Sequence, residues 1–153
     1  MIKHPKRRGE WVELQFMTRA THQGLTVSKP WGDSARYDFI VEHKGHCARV
    51  QVKSTFFYRR GAYQCKFFTG CGGYSKRDIE LVVAYVIPEE IWYVIPIAEV
   101  EGYRGITLEP RRPTSKYFRY MEAWHLLRGA SAKKRLPKPS RDRGATGPVR
   151  SNL

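Results

Sequence analysis

The sequence predicts an α/β domain, bordering on α+β, with a mixed β-sheet core flanked by helices. Three observations predict it. A helix-period segment opens the chain at residues 9–22, short alternating or apolar segments fill 25–95, and a second helix-period segment follows at 115–127. Helix, strands, helix is not the regular alternation of a doubly wound parallel sheet. The 153 residues suit one compact domain, and 41% hydrophobic with 13% aromatic residues is enough to build its core. That length excludes a large multidomain enzyme, an eight-unit barrel or a long repeat array.

In the first helix, a turn of about 100° per residue spreads Trp11, Val12, Leu14, Phe16, Met17 and Ala20 over one broad side. Gln15, Arg19 and His22 hold the other. Glu13 falls in the middle of the apolar arc, where an ionised carboxylate is costly unless it is paired or bound to a metal. Glu10 reads as a helix-start residue, favoured by the dipole. A short strand follows at 25–28. Residues 37–42 and 47–54 alternate as strands joined by His43-Lys44-Gly45-His46, a hairpin signal. With Lys44-Gly45 as a two-residue turn, Asp38 faces Gln51, Ile40 faces Arg49 and Glu42 faces Cys47. Asp38, Gln51 and Lys53 then share one face, and Phe39, Val41, Val50 and Val52 share the core face. Lys53 stands opposite Arg36 in that register. A further strand is expected at 62–69 and a loop at 70–73. Two apolar strands at 79–87 and 91–95 are separated by Pro88-Glu89-Glu90, and the last helix gathers Tyr117, Tyr120, Met121, Trp124 and Leu127 on one side.

Charge is the strongest compositional signal. The net charge of +14 and pI near 10 point to a polyanionic partner, with nucleic acid first and an anionic membrane surface second. The longest uncharged run, 81–88, is far too short to span a bilayer. The start Met1-Ile2-Lys3-His4-Pro5-Lys6-Arg7-Arg8 has no apolar stretch behind it and is not a secretory signal. Residues 128–153 carry eight basic residues against Asp142 alone, with three Pro, three Gly and few large apolar groups, so they read as a disordered basic tail behind a domain of 1–127. Cys47, Cys65 and Cys71 form no Cys-x-x-Cys pair and read as reduced thiols of a cytoplasmic protein; a Cys65–Cys71 disulfide is not signalled.

Three pieces carry a resemblance: Gly9-Glu10-Trp11-Val12-Glu13 on the first helix, Tyr37-Asp38-Phe39-Ile40-Val41 on one strand and Arg49-Val50-Gln51-Val52-Lys53 on the next. Together they resemble the PD-(D/E)XK nuclease superfamily, and most of all its intron-associated homing endonucleases and archaeal Holliday junction resolvases. Asp78 before an apolar strand, and Trp92-Tyr93-Val94-Ile95-Pro96, extend the likeness over roughly residues 9–96. The resemblance implies a restriction-endonuclease-like fold and a metal-dependent DNA endonuclease with catalytic residues Glu13, Asp38, Gln51 and Lys53. Mg²⁺, with Mn²⁺ able to substitute, would be held by Asp38, Gln51, the Val52 carbonyl and Glu13. Lys53 would orient the attacking water or neutralise the phosphate. The family's usual middle acid is Gln51 here, which still offers a carbonyl oxygen but removes one negative charge.

Several basic pairs lie near loops: Arg7 and Arg8, Arg59 and Arg60, Lys76 and Arg77, and Arg111 and Arg112. Interleaved with aromatics, they point to phosphate contacts, with the first three pairs as the DNA-binding set. Phe56 and Phe57 read as core, and Trp31 as packing at the edge of the site. The Gly70–Gly73 loop lacks the setting and the Lys-Ser/Thr ending of a P-loop, and the five His show no catalytic or zinc spacing. A homodimer or higher oligomer is expected, since two small cores cut two strands most simply. The location expected is cytoplasmic, nucleoid-associated in a prokaryote. The alternatives are a non-catalytic nucleic-acid-binding module on a decayed nuclease fold and a basic ribosome-associated protein.

Overall fold

A computed structural model describes residues 2–67 and 72–129. The proposed tail from residue 130 onward, Gly70 and Cys71 lie outside the described residues. Helix α1 (Pro5–His22) begins four residues before the expected start, with proline in its first turn. There the missing N–H costs nothing and the fixed φ suits the helix. Glu10 therefore lies in the second turn, and the dipole reading of it is corrected. Lys6, Arg7 and Arg8 occupy the first turn instead, where positive charge is disfavoured. The apolar arc buries Val12, Phe16 and Ala20.

Strands β1 (Thr26–Ser28), β2 (Phe39–His43), β3 (His46–Thr55), β6 (Leu81–Val86) and β7 (Ile91–Pro96) form a five-stranded sheet in the order β1-β2-β3-β6-β7. Only β3 and β6 run parallel, so the sheet is mixed. The β2–β3 hairpin has the expected register: Ile40 pairs with Arg49 and Glu42 with Cys47. Its turn places Lys44 at φ 49° and Gly45 at φ 79°, two positive values that match the twist of the flanking strands. The ladder stops at Phe39–Val50, so Lys53 is not paired with Arg36, which forms an ion pair with Asp78 at 3.4 Å.

One α-helix covers one face of this sheet. Phe39, Val41, Val50, Val52, Val83 and Trp92 pack there against Phe16, whose ring lies 5.2 Å from Phe39 and 6.1 Å from Trp124. The opposite face is covered by a second sheet of β4 (Tyr58–Arg59), β5 (Ala62–Lys66) and β8 (Gly105–Leu108), ordered β4-β5-β8. Val82, Ala84 and Val86 point into that second core with Cys65, Ile106 and Leu108. With both faces covered, every residue of β6 is buried, which is why its sequence is a continuous apolar run.

The expected helix at 115–127 is two 3₁₀ turns, Phe118–Tyr120 and Trp124–Arg128. Between them Met121 bridges Tyr93, and Glu122 sits at φ 52°. The Glu122 amide donates to the Trp92 carbonyl at 2.7 Å, its Oε1 accepts the Trp92 amide at 2.8 Å, and its Oε2 accepts the Trp124 indole N–H at 2.7 Å. The backbone needs of β7 outweigh local helix propensity here. Tyr117, Trp124 and Leu127 are nevertheless buried. Arg128 donates to the Gln23 carbonyl at 2.9 Å.

Arg49 and Glu80 clasp the entry to β6. The Arg49 amide donates to Glu80 Oε2 at 2.6 Å, and its guanidinium reaches Glu80 Oε1 and the Arg77 carbonyl at 2.6 Å. The Arg49 hydrogen bonds hold the Glu80 carboxyl below its ordinary range. A depressed folded-state value adds stability above the unfolded pKa, and that stability is lost as pH falls through the folded value. The two side chains are 34% and 43% exposed, so screening limits the pair to about 1 kcal/mol. Glu80→Gln is expected to lower the unfolding free energy measured in urea by that amount at about pH 7 and by much less at about pH 3. An equal loss at both pH values would assign the effect to shape and not to charge.

Candidate active site

Asp38 lies one residue before β2, where that strand separates from β3. Its amide donates to the Val50 carbonyl at 2.9 Å. Beyond this point β2 no longer reaches β3, and the Asp38 carboxylate takes its place: Oδ2 accepts the Val52 amide at 2.7 Å and Gln51 Nε2 at 2.5 Å. Among the described residues both hydrogen bonds fall on Oδ2, so Oδ1 keeps its lone pairs for a cation. Burial pushes the Asp38 carboxyl above its ordinary range, and the Glu13 charge pushes the same way. The Val52 amide, Lys53 and Gln51 pull it back.

Glu13 reaches the site from α1. It is paired, as its place in an apolar arc demands, to Lys29: Nζ stands 2.5 Å from Oε2. Lys29 also lies 5.6 Å from the centre of the Phe39 ring. Its ammonium is held above the ordinary lysine range first by Glu13, against burial, with the Asp38 and Glu10 charges adding. Gln51 and Lys53 leave β3 toward the second sheet, and Lys53 Nζ lies 5.4 Å from the Tyr74 ring. The geometry thus brings Asp38 and Gln51 into direct contact and sets the charges of Glu13 and Lys53 within reach of Asp38. Lys29 and Tyr74 are neighbours that the sequence does not place at the site. The only sequence signal for Lys29 was its place just before Pro30, where the chain is held extended.

The donor set is all oxygen: two carboxylates, the Gln51 amide oxygen and the Val52 carbonyl. It suits a hard divalent cation that keeps several waters. No cluster of three or more His, Cys, Asp or Glu side chains with metal-binding geometry occurs among the described residues, so such an ion would draw on the neutral oxygens. Of the thiols described, Cys47 is exposed and Cys65 is buried, and both are free; burial pushes the Cys65 thiol up to about 12.

The basic pairs are distributed around the domain. Arg7 and Arg8 lie on the first turn of α1, and the Arg8 guanidinium stands 4.5 Å over the Phe56 ring. Arg59 and Arg60 form the β4–β5 turn and line a groove with Phe57, Gln64, Lys66 and Thr107. Lys76 and Arg77 lend their carbonyls to Arg49 and keep exposed side chains. Arg111 and Arg112 are paired with Glu89 and Glu109. Phe56 and Phe57, expected in the core, are 39% and 55% exposed, because they lie beyond the end of β3, in the connection to β4. Trp31 is 101% exposed and packs against nothing. Exposed aromatics beside cations make a surface of the kind that suits base stacking and phosphate contacts. No helix among the described residues is long and apolar enough to cross a membrane.

Comparison with known proteins adds two findings. The sequence model of the family described as PD-(D/E)XK endonuclease matches residues 3–127. Among solved structures, a bacterial homing endonuclease, I-Ssp6803I, is similar at 30% identity, covering 83% of this chain and 93% of that one with a TM-score of 0.69. No curated protein matches significantly.

Proposed function

Since the chain belongs to the PD-(D/E)XK endonuclease family and is a metal-dependent DNA endonuclease, we propose that Asp38, Glu13, Gln51 and Lys53 form its catalytic centre. The observation that carries this reading is Asp38 itself. It is half-buried just before β2, pinned on one oxygen by Val52 and Gln51, and reached by the charges of Glu13 and Lys53. Asp38, Glu13, the Gln51 amide oxygen and the Val52 carbonyl would hold Mg²⁺, with Mn²⁺ able to substitute. When bound, the ion lowers the pKa of a coordinated water and stabilises charge on the phosphate. Lys53, with its ammonium held near the Tyr74 ring, orients the water and neutralises a phosphate oxygen. Gln51 and the Val52 amide fix the Asp38 carboxylate so that little reorganisation is needed at the reacting phosphate.

Arg7, Arg8, Arg59, Arg60, Lys76 and Arg77 contact the DNA backbone in this reading. The likeness to a homing endonuclease supports cutting at a defined duplex site. A homodimer or higher homo-oligomer, in the cytoplasm or on the nucleoid, completes this reading, since two small cores cut two strands most simply. The test is incubation with supercoiled, linear and branched DNA in Mg²⁺, Mn²⁺ or EDTA. Cleavage of duplex DNA with either ion and none in EDTA is expected; preferential cleavage of branched DNA would instead make the protein resolvase-like. One observation favours a second reading, a binding module on a decayed nuclease fold: Gln51 directs an amide donor to Asp38 where the family usually has an acid. Tight DNA binding with no cleavage under any ion would establish it.

The segment 128–153 is proposed as a basic tail that adds affinity without chemistry. If about half of its basic groups meet phosphate, its deletion flattens the slope of log K against log salt by roughly 3–4 units. Cleavage at saturating protein should stay the same. An unchanged slope would show that the tail does not touch DNA.

A further inference from the structure

The connection from β1 to β2 brings a second lysine to the catalytic carboxylates. Lys29 Nζ lies 2.5 Å from Glu13 Oε2, and the Asp38 and Glu10 charges also act on it. The connection is fastened at both ends. Pro30 holds Lys29 extended at one, and Arg36 pairs with Asp78 at 3.4 Å at the other. Two carboxylates in a half-buried place repel one another unless a cation stands between or beside them. In the metal-free protein that cation is Lys29.

We propose that Lys29 is an internal counter-ion that competes with the divalent ion for Glu13 and thereby sets the metal affinity of the site. The inference rests on the reading that Glu13 and Asp38 are metal ligands. Lys29 occupies Glu13 Oε2. An ion bound through that oxygen displaces the ammonium, and an ion bound through Oε1 is repelled by it across one carboxylate, so either way the Lys29 charge opposes the ion. In exchange, the metal-free site is held together, and Glu13 does not stand as an unpaired charge on an apolar helix face.

The test is calorimetric titration of the full chain with Ca²⁺ alone, with no DNA, alongside thermal melts in EDTA and in Ca²⁺. Lys29→Met should bind Ca²⁺ about tenfold more tightly than the parent, as removal of one nearby positive charge demands. It should also melt lower in EDTA and recover in Ca²⁺. Should Lys29→Met fail to fold, Lys29→Gln, which offers Glu13 a neutral donor, is read in the same way. Unchanged or weaker Ca²⁺ affinity overturns the proposal. Asp38→Ala separates the two readings. If Asp38→Ala loses Ca²⁺ while Lys29→Met matches the parent, the counter-ion inference alone fails. If Asp38→Ala binds Ca²⁺ like the parent, the catalytic site itself has been misplaced.

Discussion

Replacing Asp38 with alanine is expected to lower the DNA cleavage rate by about 10³-fold or more, close to 4 kcal/mol of transition-state stabilisation. Single-turnover assays at saturating protein should show the loss, while DNA affinity measured in EDTA holds or rises, since one negative charge near the phosphate is gone. Cleavage by Asp38→Ala at the parent rate would move the catalytic centre elsewhere. Asp38→Asn gives a companion measurement, because its amide oxygen can still accept the Val52 amide. The folded-state carboxyl of Asp38 lies above its ordinary value through burial. The metal-free fold therefore binds more protons here than the unfolded chain does. The stability this confers is present below the unfolded pKa and is lost as pH rises through the folded value. Asp38→Asn should remove that part of the pH dependence in EDTA, and an unaltered pH–stability curve would show that Asp38 is not held as described.

The second large effect is on stability. Phe16 is fully buried, and its ring meets Phe39, Trp92 and Trp124 at 5.2, 6.1 and 6.1 Å. Phe16→Ala opens a cavity between α1 and the sheet, and a loss of about 3–5 kcal/mol in urea unfolding is expected. The cost also reaches the site. Glu13 is carried on the same helix three residues away, so a loosened α1 should weaken metal binding even where the variant remains folded. A loss under about 1 kcal/mol would mean that the helix closes onto the sheet and fills the space.

The β2–β3 hairpin was legible in the sequence because two local signals agree. Lys44-Gly45 is a turn that demands positive φ, and the alternation on either side allows one register in which the core face is apolar throughout. Asp38 and Gln51 followed from that register without any tertiary information. Residues 115–127 were misread for the opposite reason. Their apolar period correctly marked Tyr117, Trp124 and Leu127 as buried. The shape of the segment, though, is set by the free edge of β7, a strand more than twenty residues upstream, and its conversion to two short turns depends on the Glu122 hydrogen bonds. Lys29 could not be recognised from its surroundings in sequence, where a lysine before a proline is an ordinary solvated residue. Only the pairing of β1 with β2 swings it over Glu13. Phe56 and Phe57 look like core in sequence because aromatic residues after an apolar strand usually are. Their exposure follows from where β3 and β6 stop together, at Thr55 and Val86, which is a property of the sheet. The four residues of β8, and with them the second sheet, were too short to carry a periodic signal of their own.

Both outer strands of the five-stranded sheet are blunted. β1 has three residues, and β7 is closed off by the Met121 bridge and by Glu122, which takes both the amide and the carbonyl of Trp92. A long open strand edge is a template on which further copies grow into ordered aggregates. This chain offers them no such template along its main sheet, and its net charge of +14 keeps copies apart in free solution. Any pairing of copies is therefore expected on DNA, where the polyanion offsets that repulsion, and through side chains rather than a continued sheet.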